Sequence, residues 1–471
     1  MHEEGTQAEP QTVDTIITNV MVVTMNEQRE IYTDGAIAID GPLIVGVGRR
    51  EDVAAAFAAR STIDGRGGCA VPGLVNAHIH ITGEPLTKGV VPDDTDRESN
   101  VYEWLCPLYA GYEARDEKVS AQLAAVEMLR SGTTSFLEAG TIYYLDDVFE
   151  GLAETGVRAR LGRWVWDGPA QPEKYAQTTD EAIDNLETYL ARYRGAPDDL
   201  LQAWPMVVGG PRVSDALWLA AADLSKRYDA VLNFHMSPAP TDPAAYLRDR
   251  GNRPFVHLEQ LGVLDRPYVA VHCVHIDDDE VAAIARTPGT IVHCPTTALK
   301  VAYGASTVSK FPELEAAGVN LALGTDGNNA SNHSDIYKAT YVLAGLFKDA
   351  RQDPNQFPAT RAFEIATLGG AYAMGARDTI GSIEPGKRAD VVIHDTDRPE
   401  WVPLFNVVNH LVYSVDGRSV RTVLVDGKTV VDDFHMTTID EEKLYAEAQR
   451  LGAGVLERTN LGSRLTWPVI A

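Results

Sequence analysis

Between residues 71 and 378 the chain repeats one pattern, a short apolar run followed by an amphipathic stretch. The apolar runs are CAVPGLVNAH, GTTSFLEAG, RARLGRWVW, LLQAWPMVV, AVLNFHM, YVAVHC, GTIVHC and VNLALGTD. Between them lie stretches of helical periodicity such as EKVSAQLAAVEMLRSG, DEAIDNLETYLARYRG and SDALWLAAADLSKRYD. Alternating strands and helices make a parallel sheet, and eight repeats over roughly 300 residues close one into a (β/α)8 TIM barrel. The flanks read differently. DTIITNVMVVTMN and GAIAIDGPLIVGVGR alternate with breaks at turn residues, and the same texture returns in GKRADVVIHDTD and VRTVLVDGKTVVDDF. The fold class predicted is α/β, a barrel over 71–378 with a small β-sandwich built from both chain ends, 14–70 and 379–435. DEEKLYAEAQRLGAGVLERTN predicts a terminal helix within a tail over 436–471.

With 41 basic and 67 acidic side chains the formal charge is −26. Such a surface repels phosphate backbones and anionic lipid, so neither nucleic acid nor membrane is expected as a partner. Cys69, Cys106, Cys273 and Cys294 show no CxxC spacing, which argues against a disulfide framework or a structural zinc finger. The acidic N-terminus lacks the apolar segment of a signal peptide, and the expected setting is cytoplasmic.

Polar residues gather where the apolar runs end: His78-Ile79-His80 at the first, Glu138 at the second, His235 at the fifth, His272 at the sixth, His293 at the seventh and Asp326 at the eighth. Strand C-terminal ends of a barrel meet on one rim, where active sites form. Side chains two apart on a strand share a face, so His78 and His80 can grip one ion, and imidazole and carboxylate are zinc-type ligands. Taken alone, His293 reads as a hydrogen-bonded core histidine, and Glu138 as either a rim acid or a salt-bridged carboxylate. Phe136, Trp164, Trp166, Trp204, Tyr143 and Tyr144 lie at or past the ends of strands two to four, and Trp164 and Trp166 are the candidates to stack on a flat substrate. Asn328 and Asn329, just after Asp326, either orient a substrate or cap a helix. The segment after His80, with Lys88 and Asp93-Asp94-Thr95-Asp96, is long enough for a lid, its acids read as solvated. No Arg or Lys cluster is evident along the rim, so the expected substrate is small and neutral rather than phosphorylated.

VPGLVNAHIH, HM at strand five, VHC at strand six, HCP with Leu299-Lys300 at strand seven, GTDG at strand eight and the ending IGSIEPGKRADVVIHD resemble the amidohydrolase superfamily. The resemblance covers residues 15 to 435 and is strongest to the branch of S-adenosylhomocysteine deaminase and atrazine chlorohydrolase. It implies that His78, His80, His235 and Asp326 ligate one divalent metal, zinc first with iron, cobalt or manganese as alternatives. That ion would lower the pKa of a water towards ~7. It also implies that Asp326 moves the water's proton to the leaving group, that His272 stabilises developing charge, and that the chain forms homo-oligomers. WPMVVGG at strand four lacks the lysine of two-metal relatives, and the HxE/PCxxC signature of cytidine deaminases is absent.

One departure bears on chemistry. Ring-acting relatives carry His-x-x-Glu after strand five, the Glu protonating a ring nitrogen, whereas this chain reads His235-Met236-Ser237-Pro238, with Asp242 seven residues beyond His235. Without that acid, the reading favoured by sequence is hydrolysis at a urea, carbamate, thiocarbamate or amide carbonyl, similar to phenylurea and molinate hydrolases of xenobiotic degradation. The alternative is an aminohydrolase or chlorohydrolase acting on a purine, pterin or s-triazine ring. A non-enzymatic relative would show broken ligand positions, and none is broken here.

Overall fold

Leu74–His80, the first barrel strand, is buried along its whole length, as an apolar strand covered on both faces must be. The computed structural model describes residues 9–168, 172–196 and 199–462, with 464, 467, 468 and 470 beyond them. Parallel pairing runs from the first strand to Thr133–Glu138, Arg158–Leu161 and Leu201–Ala203. It resumes from Met206–Gly209 through Leu232–Met236, Tyr268–His272 and Gly289–His293 to Asn320–Leu323.

Two of the eight strands are split, and both splits have a local cause. The fourth breaks at Trp204-Pro205, where proline has no N–H to give to a ladder, so its halves serve different neighbours. The eighth parts after Leu323: Gly324 donates to the His293 carbonyl at 3.0 Å and Thr325 to the His78 carbonyl at 3.0 Å. Asp326–Gly327 then pairs with Ile79 and His80, closing the ring between last and first strands. The third strand is shorter than RARLGRWVW suggests. It ends at Leu161, and the chain leaves the ladder at Gly162, where a Cβ would lie 2.6 Å from Met206 Cγ. The predicted helices form at Ala114–Arg130, Thr179–Tyr193 and Asp215–Arg227, the second started by a capping box between Thr178 and Glu181.

Both chain ends build the sandwich. Gln11–Val23, Ile31–Asp40 and Leu43–Arg49 form an antiparallel meander, and Phe57–Pro72 runs parallel beside the first of them. Val391–His394 pairs with Phe57–Pro72, and Val420–Val425 and Lys428–Asp432 continue the sheet. Ile17, Val20, Val22, Ile37 and Ile39 from one end pack with Val391, Ile393 and Leu424 from the other. Arg158, on the third barrel strand, ties the two parts together through Asp390 and Asp426. The terminal helix Glu441–Thr459 lies against Ala114–Arg130, where Arg115 pairs with Glu447. Residues 1–8 of the acidic N-terminus and part of the tail after 462 lie outside the described residues. Among those described, no helix is long and apolar enough to cross a membrane.

Candidate functional site

The first strand delivers His78 and His80 to one side, two residues apart, and the split eighth strand brings Asp326 across to them. His80 Nε2 lies 3.0 Å and His78 Nε2 3.4 Å from Asp326 Oδ1. The fifth and sixth strands supply His235 and His272, whose rings stand 4.8 and 5.4 Å from that of His78. One ligand atom each from His78, His80 and Asp326, and likewise from His78, His235 and His272, lies within 4.8 Å of the others in its set. Holding these side chains together takes unusual backbone: His272 and Asp326 have φ of 74° and 63°, in the left-handed region. Gly209, with φ of 83°, ends the fourth strand against His235, and a Cβ there would lie 1.9 Å from the His235 carbonyl oxygen. The close approach lets His235 Nδ1 donate to the Val208 carbonyl at 2.9 Å, leaving Nε2 as the free ligand nitrogen.

The donor set fits a divalent metal. Burial holds His78 below and His235 well below the ordinary imidazole range and pushes His272 down to about 3, so these rings are neutral, whereas Asp326 outweighs the burial of His80 and raises it. Burial raises Asp326, but the imidazoles of His78 and His80 beside it, with His272, outweigh it and keep the carboxylate ionised. Both ring nitrogens of His78 are buried without a hydrogen-bond partner among the described residues, a costly arrangement unless something coordinates there. His293 is different. Its ring packs 4.0 Å from that of Phe311 and burial pushes its pKa to about 3; neither nitrogen finds a partner among the described residues, so the hydrogen-bonded core histidine expected from sequence is instead a neutral ring in apolar packing.

A cavity of about 550 Å³ opens over these side chains, and Trp164 and Trp166 are among its lining residues. Three other candidates are buried beside it without lining it. Glu138 accepts hydrogen bonds from its own turn, from the Thr141 N–H and hydroxyl at 3.1 and 2.8 Å and from the Gly140 N–H, and burial raises its pKa to about 7. Asn328 donates to the Ser334 hydroxyl at 3.2 Å, and Asn329 bridges the Gly89 N–H and Thr87. These bonds hold loops together rather than reach a substrate.

Two expectations about the rim need correction. Arg97, Arg212 and Arg248 do line the cavity, brought there by the helical segment over 97–111, by the turn after the fourth strand and by the helix Thr241–Arg250 after the fifth. The neighbourhood of Pro238 also holds an acid after all. A helix begins at Thr241, and its first turn brings Asp242 into the cavity beside Pro238, its pKa raised by burial against the pull of Arg97 and Arg212. Glu84, which sequence reasoning passed over, lines the cavity too. Tyr109 donates to it at 2.6 Å and the Asn329 N–H at 2.6 Å, and burial again raises its pKa.

The amidohydrolase family profile matches residues 69–430. A 5-methylthioadenosine/S-adenosylhomocysteine deaminase of Pelotomaculum thermopropionicum is 31% identical over 444 residues, 94% of this chain and 99% of that protein. The crystal structure of an adenosine deaminase from Xanthomonas campestris with bound zinc superposes with a TM-score of 0.87 at 29% identity, covering 96% of this chain and 99% of that one. The atrazine chlorohydrolase of Arthrobacter aurescens TC1, complexed with zinc, shares the fold with a TM-score of 0.85 at 22% identity, over 93% and 100% of the two chains.

Proposed function

The chain belongs to the amidohydrolase family and is a hydrolase acting on C–N bonds, and from that premise we propose that it is an aminohydrolase of flat nitrogen heterocycles. The observation that carries the proposal is Asp242. It stands in the cavity beside Pro238, so the ring-protonating role that Pro238 cannot fill has a carboxyl group available. The similarity to purine-type deaminases over nearly the whole chain favours the ring reading over the carbonyl reading.

His78, His80, His235 and Asp326 are the proposed holders of one divalent ion, zinc by the chemistry of three imidazoles and a carboxylate. That ion, when bound, supplies a water activated near neutral pH. The residues of the chain do the rest. Trp164 and Trp166 stack a flat ring over the ligand set, and Asp242 protonates a ring nitrogen as the water oxygen bonds to the adjacent carbon. Asp326 accepts the water's proton and passes it to the exocyclic nitrogen. His272, a neutral ring 5.5 Å from that of His235, hydrogen-bonds the incoming oxygen. The C–N bond breaks and ammonia leaves; the new hydroxyl gives its proton to Asp242, which restores the acid, and the ring keeps an oxo group.

Pro238 itself supports a second reading, attack on a urea, carbamate, thiocarbamate or amide carbonyl, which needs no ring-nitrogen acid. Product identification by mass spectrometry separates the two, using metal-loaded enzyme on aminopurines, pterins and chlorotriazines beside aryl ureas, anilides and thiocarbamates. Ammonia from a ring supports the aminohydrolase. Aniline, amine or thiol release from the carbonyl compounds alone overturns it in favour of the second reading.

A further inference from the structure

Arg97 opens the helix that folds over the cavity, its first turn capped by the Asp96 side chain on the Ser99 N–H at 2.9 Å. Both Arg97 and Tyr303 line the cavity, and the Arg97 charge pulls against the burial that raises the Tyr303 hydroxyl; the Arg97 Nε is buried and has no acceptor among the described residues. An orphaned charged donor at the wall of a binding cavity is expensive unless a ligand supplies the acceptor. The Tyr303 hydroxyl has its own proton to give. Tyr303 stands edge-on to His272 with centroids 5.7 Å apart, whereas Trp164 stands edge-on to His80 at 6.3 Å. The stacking side and the donor side thus lie against different histidines of the site, His80 and His272. Asp242 lines the same cavity, where Arg97 and Arg212 both pull against the burial that raises it.

We propose that Arg97 Nε and the Tyr303 hydroxyl form a donor pair that receives an oxygen acceptor of the substrate, a ring oxo group or a carboxylate, on the His272 side of the reacting carbon. The inference rests on the aminohydrolase reading and narrows it: amino-substituted rings that also carry an oxygen are taken in preference to those that carry none. Arg97 here is a specificity-determining residue and moves no proton.

The test pairs 2-amino-6-oxopurine with 2-aminopurine, and an aminotriazine carboxylate with the parent aminotriazine, on the metal-loaded full chain. Arg97→Met is expected to cut the kcat/KM ratio between the oxygen-bearing and oxygen-free member of a pair by about 10- to 100-fold, chiefly through KM. Arg97→Lys recovers little, since lysine has no guanidinium fork, and Tyr303→Phe shifts the ratio the same way by less. Whichever pair shows the loss tells oxo from carboxylate. An unchanged ratio in both pairs, or equal losses on both members, overturns the proposal. A second readout does not depend on turnover: quenching of Trp164 and Trp166 fluorescence in an Asp326→Asn background, with and without Arg97→Met. Should only carbonyl compounds be hydrolysed, the aminohydrolase reading falls, and binding then decides the donor pair alone. Oxygen-dependent quenching lost with Arg97→Met keeps it; quenching indifferent to Arg97 removes it.

Discussion

His80 Nε2 lies 3.0 Å from Asp326 Oδ1 because the barrel closes between its eighth and first strands, where Asp326 pairs with Ile79. In the proposed chemistry the carboxylate therefore serves two purposes at one place, ligand and proton carrier. Asp326→Asn keeps the shape, and asparagine tolerates the φ of 63° that this position imposes. Turnover is expected to fall by about 10²- to 10⁴-fold with an unchanged far-ultraviolet circular dichroism spectrum. Activity within tenfold of the parent would refute the proton-transfer role.

His78 is fully buried, and neither of its ring nitrogens has a hydrogen-bond partner among the described residues. His78→Ala is expected to abolish stoichiometric metal by plasma emission spectroscopy and to lower the unfolding temperature gap between metal-loaded and chelator-treated protein towards zero. Metal content equal to the parent's would show that the ion sits elsewhere.

Asp242 and Glu84 are both buried carboxyl groups facing the cavity, but their partners differ. Glu84 is already engaged by Tyr109 and the Asn329 amide, whereas Asp242 faces Arg97 and Arg212 across the cavity. Asp242→Asn is therefore expected to reduce ammonia release from rings by at least about 10²-fold, and Glu84→Gln by much less. Steady-state rates on one aminopurine decide it. The reverse order would transfer the acid role to Glu84.

What was legible in the sequence was whatever a local pattern carries. Apolar runs ending in His78, His80, His235, His272 or Asp326 announce strand ends, and barrel geometry brings strand ends together without further instruction. Arg97 and Glu84 were missed because they reach the cavity from the segment after His80, whose path depends on how 97–111 packs across the barrel. Asp242 was dismissed by its distance in sequence from His235. Only the helix start at Thr241 folds that distance back, and the ranking of a carbonyl substrate above a ring had depended on an empty place at Pro238. Glu138 misled in the opposite way. It ends a strand like the ligands do, but the Gly140-Thr141 turn beside it supplies donors so close that the side chain folds onto its own backbone; an acid followed within three residues by glycine and threonine was the available sign.

Arg158 is buried between Asp390 and Asp426, with Nε 3.1 Å from Asp390 Oδ2. It holds barrel to sandwich from a position almost without solvent. Arg158→Met leaves two buried carboxylates facing each other, a loss of about 3–5 kcal/mol. The double variant with Asp390→Asn is expected to regain part of it. Urea unfolding midpoints measure both, and a single variant as stable as the parent would show that the network adds nothing.

His394, on the sandwich strand Val391–His394, is fully buried between the hydroxyls of Tyr337 at 2.6 Å and Ser419 at 2.9 Å. Burial pushes its pKa from 6.5 to about 3, so the folded state holds it neutral where an unfolded chain would bind a proton. Its contribution to stability is thus fully present above pH ~6.5 and is lost as pH falls towards 3, by up to about 1.4 kcal/mol per unit. His78, His235 and His272 are held down as well, whereas Asp326 raises His80 against its burial, so the informative quantity is a difference between two proteins. Unfolding temperatures of metal-free parent and His394→Gln, taken from pH 7.5 to 4.5 (a window of our choosing, about two units below neutrality), are expected to converge as the pH drops, since only the parent carries this extra proton uptake. Parallel curves across that range would mean that His394 is protonated in the folded protein, or that its burial costs nothing on acidification.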